Sequence, residues 1–334
     1  MNGFERYTAM LAGKRPDFVP RVPILMQFAA EYIGSNYGVF ASDWKVLVEA
    51  NEKCAEAFGL DQVSAISDPF RETAGFGGEI VFVKDGVPRL VKPPLLDTKD
   101  LGALAAPDPM TSPRMRDRVD AVRAFKEKVG GRYSILGWIE GPAAEAADLR
   151  GVTQFLMDLM DDEPFAGALM DRSIEVGVEF ARAQVEAGAD TVGVGDAIAS
   201  QLSPELYERL VLPREKRLVD AIHGMGARVR LHICGNITHL LRGIARLGAD
   251  IVDVDHMVKM PTARRALGDR VALAGNLDPA TAVQRGTPKA IRERVRDLYA
   301  EVGNPFLVAA GCEVSPLTPP ANLRALCEPM GYVP

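Results

Sequence analysis

Eight short apolar runs, most of them followed by a stretch of helical pattern, constrain this chain more than any other feature. They fall at 19–25 (VPRVPIL), 62–69 (QVSAISDP), 133–142 (YSILGWIEGP), 191–197 (TVGVGDA), 228–235 (RVRLHICG), 251–256 (IVDVDH), 271–278 (VALAGNLD) and 306–314 (FLVAAGCEV). Near-continuous Val, Ile and Leu character predicts parallel strands covered on both faces, and alternation with helices predicts βαβ units. Ser203-Pro204 and Thr287-Pro288 each read as a cap followed by a first-turn proline, and Gly224 and Gly303 close those two helices. The stretch 78–94 reads as a β-hairpin turning at Asp85-Gly86, and the Pro-rich piece 105–113 as a loop.

An open doubly wound sheet and a closed barrel both satisfy this alternation. Two observations favour the barrel. The first run is not followed by a Gly-rich phosphate turn. The chemically capable residues also gather at the C-terminal ends of the runs, which in a barrel converge on one mouth. They include Asp68, Glu140, Asp196, His232 with Cys234, Asp253 with Asp255, Asn276 with Asp278, and Cys312 with Glu313. The expected fold is α/β, a single (β/α)8 TIM barrel over 1–334 with a hairpin inserted between the second and third strands. The 334 residues are an ordinary length for one such barrel.

A formal charge of −6 argues against a nucleic-acid or anionic-membrane surface. The opening MNGFERYTAMLAGKRPDF is too charged for a signal peptide, and the sequence has no apolar run of the ~18 residues a membrane span needs. Four cysteines in a chain this long do not make a disulfide framework. Free thiols in the cytoplasm are the expectation.

The sharpest chemical pattern is His232-Ile233-Cys234 ending the fifth run, with Cys312 ending the eighth. On a strand, i and i+2 share a face, so His232 and Cys234 can both enter the mouth. One imidazole and two thiolates suit Zn²⁺, and three protein ligands leave a fourth position open, as catalytic zinc requires. Buried cysteine is also a common inert packing residue, so on spacing alone three unrelated side chains remain the alternative.

The segments LHICGNITHLL, ALAGNLDP, GTPKAIRERV and AAGCEVSPLTPPANLRAL resemble the uroporphyrinogen decarboxylase superfamily, specifically its zinc-dependent methyltransferase branch. ERYTAMLAGKRPDFVPRVPI, ISDPFRETAGFGGEI, IEGPAAEAADLRG and VGDAIASQLSPELYERLVLP extend the resemblance over essentially the whole chain. That branch includes the methylcobamide:coenzyme M methyltransferases, which carry an H-x-C…C zinc motif on this barrel. The resemblance implies zinc on His232, Cys234 and Cys312. It also implies transfer of a methyl group between a corrinoid, such as methylcobalamin, and a thiol or tetrahydrofolate. The chain holds no D-x-H-x-x-G corrinoid pattern, so the carrier is expected on a separate corrinoid protein.

The departures point the same way. Decarboxylases of the superfamily carry M-R-Q-A-G-R-Y near the N-terminus, whose arginines bind porphyrinogen carboxylates. The matching stretch here is MQFAAEY, with Gln27 and Glu31 at the arginine positions. An amide and a carboxylate cannot form a bidentate carboxylate clamp. Asp68 does match the decarboxylase aspartate, so it is expected as a retained pocket residue in a changed role.

Asp68, Glu140, Asp196, Asp255 and Asn276 are the expected substrate contacts, and no separate general base is assigned. Asp255 is the first candidate for a fourth protein ligand, ahead of Glu140 and Glu313; an acid there could equally orient His232. Asn276 and Asp278 either bond substrate or organise the turn after the seventh run. Trp138 and Phe70 line the pocket or pack in the core. Cys54 and Cys327 are expected to pack, His223 to lie exposed at a helix end, and His239 to lie on a helix after the zinc loop, with a surface role ahead of one supporting the metal ligands. Two other functions compete with methyl transfer: a decarboxylase of tetrapyrroles or similar polycarboxylates, and a non-catalytic zinc- or corrinoid-binding subunit.

Overall fold

The computed structural model describes residues 1–331. Seven parallel strands form one curled sheet: β1 (Gln62–Ser64), β4 (Ser134–Glu140), β5 (Thr191–Gly195), β6 (Arg228–His232), β7 (Ile251–Val254), β8 (Ala272–Leu277) and β9 (Phe306–Ala310). From β5 to β9 nearly every strand residue is buried, as expected when helices cover the outer face and side chains fill the interior. β2 (Ile80–Val83) and β3 (Gly86–Leu90) form the separate antiparallel hairpin. Val83 pairs with Gly86, so the turn is Lys84-Asp85, one residue earlier than expected.

The eighth stave is the segment 19–25. It lies between β9 and β1 and closes the barrel, but it makes only an isolated bridge, Arg21 with Val308. Its bonds to β9 run from Val308 N–H to Pro20 O (2.7 Å) and from Val22 N–H to Val308 O (2.8 Å). On the other side, Asp61 N–H donates to Arg21 O (2.9 Å), and Arg21 Nε reaches Asp61 Oδ2 at 3.0 Å. Pro20 and Pro23 have no N–H to give, so a continuous ladder cannot form there. This is a seam rather than a full strand.

The expected helix signals hold. Ser203 and Thr287 cap their helices through their hydroxyls, and Gly303 takes a left-handed φ of 60° to end helix Pro288–Val302. Cys54 and Cys327 are buried, and His223 is exposed beside Asp250. His239 differs: it is exposed in a turn before helix Leu241–Ile244, not on a helix. Among the described residues no helix is long and apolar enough to cross a membrane.

Candidate metal centre

The parallel register sets the site. His232 ends β6 and pairs with Gly195 of β5 on one side and Asp253 of β7 on the other. Cys234 follows two residues later on the same face, and Cys312 lies two residues beyond the end of β9. His232 Nε2 lies 3.1 Å from Cys234 Sγ and 3.8 Å from Cys312 Sγ, and the two sulfurs are 3.7 Å apart. Both thiols are free. A sulfur–sulfur distance of 3.7 Å is far too long for a disulfide, which is about 2.05 Å. It is close to the edge of a tetrahedron around zinc, about 3.8 Å for metal–sulfur bonds of about 2.3 Å.

Beneath the three atoms runs a buried polar chain. Asp253 Oδ2 lies 2.9 Å from His232 Nδ1, so Nε2 is the ring nitrogen turned toward the thiols. Arg230 Nε donates to both oxygens of Asp253, at 2.9 and 3.0 Å. The same guanidinium reaches Gln62 Oε1 (2.6 Å) on β1 and Val22 O (3.1 Å) on the seam. Arg230 and His232 share a face of β6, so Arg230 lies inside the barrel one layer below the mouth.

The electrostatics follow from this packing. Burial favours the neutral Asp253 carboxyl, but the Arg230 charge and the bond to His232 outweigh it and hold Asp253 below its ordinary range. Burial works against the imidazolium of His232, yet the negative charge at Cys234 and the Asp253 bond raise it well above its ordinary value. The two thiols titrate as a pair. The hydrogen bond from Cys234 draws Cys312 down to about 4, overriding burial and helped by His232, and sharing that proton pushes Cys234 up.

A cavity of about 180 Å³ opens beside these atoms. Asp68 and Glu140 line it, as does Trp138, whose indole packs edge-on to His232 at 5.8 Å. A side chain at Gly193 of β5 would overlap that indole, so only glycine leaves room for it. Phe70 is not among the lining residues. Asp68 is gripped by both terminal nitrogens of Arg114 at 2.8 Å. Burial opposes its charge, but Arg114 keeps the carboxyl well below its usual range. Glu140 accepts from Arg71 Nη2 (2.6 Å) and from Trp138 Nε1 (3.1 Å), and burial still pushes it well above its usual range. Arg71, Arg114, Arg230 and Asp253's bond to His232 carried no local sequence signal beyond the two-residue spacings on β6 and β7.

The other expected contacts do not face this cavity. Asp196 is fully buried and accepts from the N–H groups of Ala143 (3.2 Å) and Ala144 (2.7 Å), at the start of helix Pro142–Arg150. Asp255 braces the loop after Cys234, accepting from Gly235 N–H and Met257 N–H at 2.9 Å each. Asn276 donates to Asp255 O (3.1 Å) and Val258 O (2.7 Å). Asp278 caps the turn beginning at Pro279. A larger cavity of about 600 Å³ nearby, lined by Lys259, Arg265, Arg294 and Asn276, contains none of the three ligand atoms. Gln27 Nε2 donates to Glu31 Oε1 at 2.8 Å, so these two are bonded to each other at the rim.

Comparison with known proteins gives consistent results. The family model for uroporphyrinogen decarboxylase (URO-D) matches residues 2–330. A methylcobamide:CoM methyltransferase, MtbA of Methanosarcina mazei, is 30% identical over 335 residues, covering 97% of this chain and 96% of that protein. A uroporphyrinogen decarboxylase of Nostoc punctiforme is 27% identical, covering 96% and 94%. A solved methyltransferase from Methanosarcina mazei superposes with a TM-score of 0.89 at 24% identity, over 98% of this chain and 97% of that one. That last likeness establishes the shared barrel fold.

Proposed function

The chain belongs to the uroporphyrinogen decarboxylase family, and on that premise we propose that it is a zinc-dependent methyltransferase, moving a methyl group between a corrinoid and a thiol or tetrahydrofolate acceptor. One observation carries this: an imidazole and two thiols, free of any disulfide, whose three donor atoms lie within 4.8 Å of one another at the barrel mouth. His232, Cys234 and Cys312 would hold the metal. Zinc on such ligands would supply Lewis acidity that makes the acceptor a better nucleophile at neutral pH.

The chain's own side chains prepare the site. Asp253 fixes the ring orientation of His232, and Arg230 keeps Asp253 charged in a buried place. Trp138, with Ile24, Met26 and Ile66, gives the reacting atoms an apolar wall. Asp68 and Glu140, each held by an arginine, are the acceptor-facing polar groups. A cavity of about 180 Å³ cannot enclose a corrinoid, so the macrocycle would dock over the mouth, presented by a separate corrinoid protein.

The test is to mix methylcobalamin with the purified protein and either a thiol or tetrahydrofolate, and to follow the corrinoid spectrum. Demethylation that requires both the acceptor and Cys312 supports the assignment. Demethylation that persists in metal-stripped protein refutes it.

A further inference from the structure

We infer that the acceptor taken by this site is a small thiol that carries no negative charge, an inference that rests on the methyl-transfer assignment above. The cavity walls are mostly apolar, formed by Ile24, Met26, Ile66, Pro69 and Trp138. Beyond the ligand set, the charged groups lining it are all carboxyls: Asp68, Glu140 and Glu313. Among the described residues no lysine or arginine lines it. The arginines behind two of the carboxyls are engaged: Arg114 grips Asp68, and Arg71 bonds Glu140. Arg71 is fully buried and does not line the cavity; Nη2 bonds Glu140, while Nε and Nη1 are buried without a hydrogen-bond partner.

An anionic tail such as a sulfonate would therefore leave water without meeting a counter-charge. It would also find only carboxyl groups among the charged lining residues, with Asp68 held ionised beside it. A neutral tail avoids both penalties and packs on the apolar wall. Size narrows the class further. About 180 Å³ is well below the ~300–1,000 Å³ that encloses a drug-sized ligand. A folate does not fit inside it.

The step balances for such a thiol. The sulfur lone pair forms the C–S bond of the thioether, and the thiol proton leaves to solvent. The Co–C electron pair stays on the corrinoid, taking cobalt from Co(III) to Co(I).

Three thiols of equal reach separate charge from shape: 2-mercaptoethanol, cysteamine and 2-mercaptoethanesulfonate. Calorimetric titration into the zinc-containing protein at pH 7 should show the first two binding at least tenfold tighter than the sulfonate. Equal or tighter binding of the sulfonate overturns the charge preference. So does tight binding of tetrahydrofolate when none of the thiols binds. Ile66→Lys, or Met26→Lys if the first does not fold, should raise sulfonate affinity at least tenfold; no change in a folded variant counts against us. A methylcobalamin assay with the same thiols is read separately. Binding in the expected order without demethylation leaves the charge preference standing and refutes methyl transfer. Efficient methylation of the sulfonate does the reverse.

Discussion

Asp253 stands between Arg230 and His232, taking two bonds from the guanidinium at 2.9 and 3.0 Å and meeting the imidazole at 2.9 Å. The carboxylate thus has two tasks, neutralising a buried cation and aiming a ligand. Asp253→Asn should disturb both. Metal affinity should fall by about 10–100-fold, as for other groups that orient a ligating histidine. Stability should fall by about 3–5 kcal/mol, because a buried arginine loses its partner. Metal competition with a chromophoric chelator and urea unfolding measure the two effects separately.

Zinc should be present at about one per chain in protein purified without chelators. Cys234→Ala and Cys312→Ala should each lose it while the barrel remains folded, since the apolar core lies below the mouth. Elemental analysis alongside circular dichroism checks this. Metal-free wild-type protein that takes up no added zinc would refute the ligand assignment.

Uroporphyrinogen should not be decarboxylated. Gln27 and Glu31 are bonded to each other at the positions where the related decarboxylases carry arginines, and Glu31 would repel a substrate carboxylate. Product analysis after incubation with uroporphyrinogen should show no loss of CO2 above the uncatalysed rate. Turnover comparable with a true decarboxylase would overturn this.

The barrel was legible in the sequence because the short apolar runs are near-continuous in Val, Ile and Leu and are spaced by helical pattern. The segment 19–25 was expected as a full strand; Pro20 and Pro23, which delete ladder donors, are why it forms only a seam. That His232, Cys234 and Cys312 come together was expected from residue chemistry joined to the family resemblance, since spacing alone left unrelated side chains as the alternative. The supporting acid could not be read in advance: Asp253 and Asp255 have the same parity on one strand, and only the register with β6 decides which meets His232. Arg71 and Arg114 were hidden for another reason. Their partners Glu140 and Asp68 lie 69 and 46 residues away, a separation that leaves no local periodicity.

Asp148 contributes one pH dependence of stability. Burial, with Glu72 nearby, raises its carboxyl to about 8. The unfolded chain has an ordinary value of about 3.9, so between about pH 4 and pH 8 the folded state binds more protons. This stabilising contribution is complete below pH 4 and is lost as pH rises through about 8. Asp148→Asn should therefore gain stability relative to wild type as pH rises, by at least ~1 kcal/mol between pH 5 and pH 9. Parallel urea titrations at the two pH values measure it; a difference that does not change with pH refutes it.

The seam also bears on the metal. Val314 N–H donates to Ile24 O (3.0 Å) and Gln27 N–H to Glu313 Oε1 (3.0 Å), so the loop bearing Cys312 hangs from the stave with the fewest ladder bonds. The other two donors, His232 at the end of β6 and Cys234 just beyond it, sit across the barrel interior. An ion bound to all three would act as a clasp, tying the weakest joint of the cylinder to its firm wall. By linkage, opening of that joint and release of the ion are one equilibrium. Amide exchange in 19–25 and around Cys312 should slow on metal addition while β5 and β6 stay unchanged.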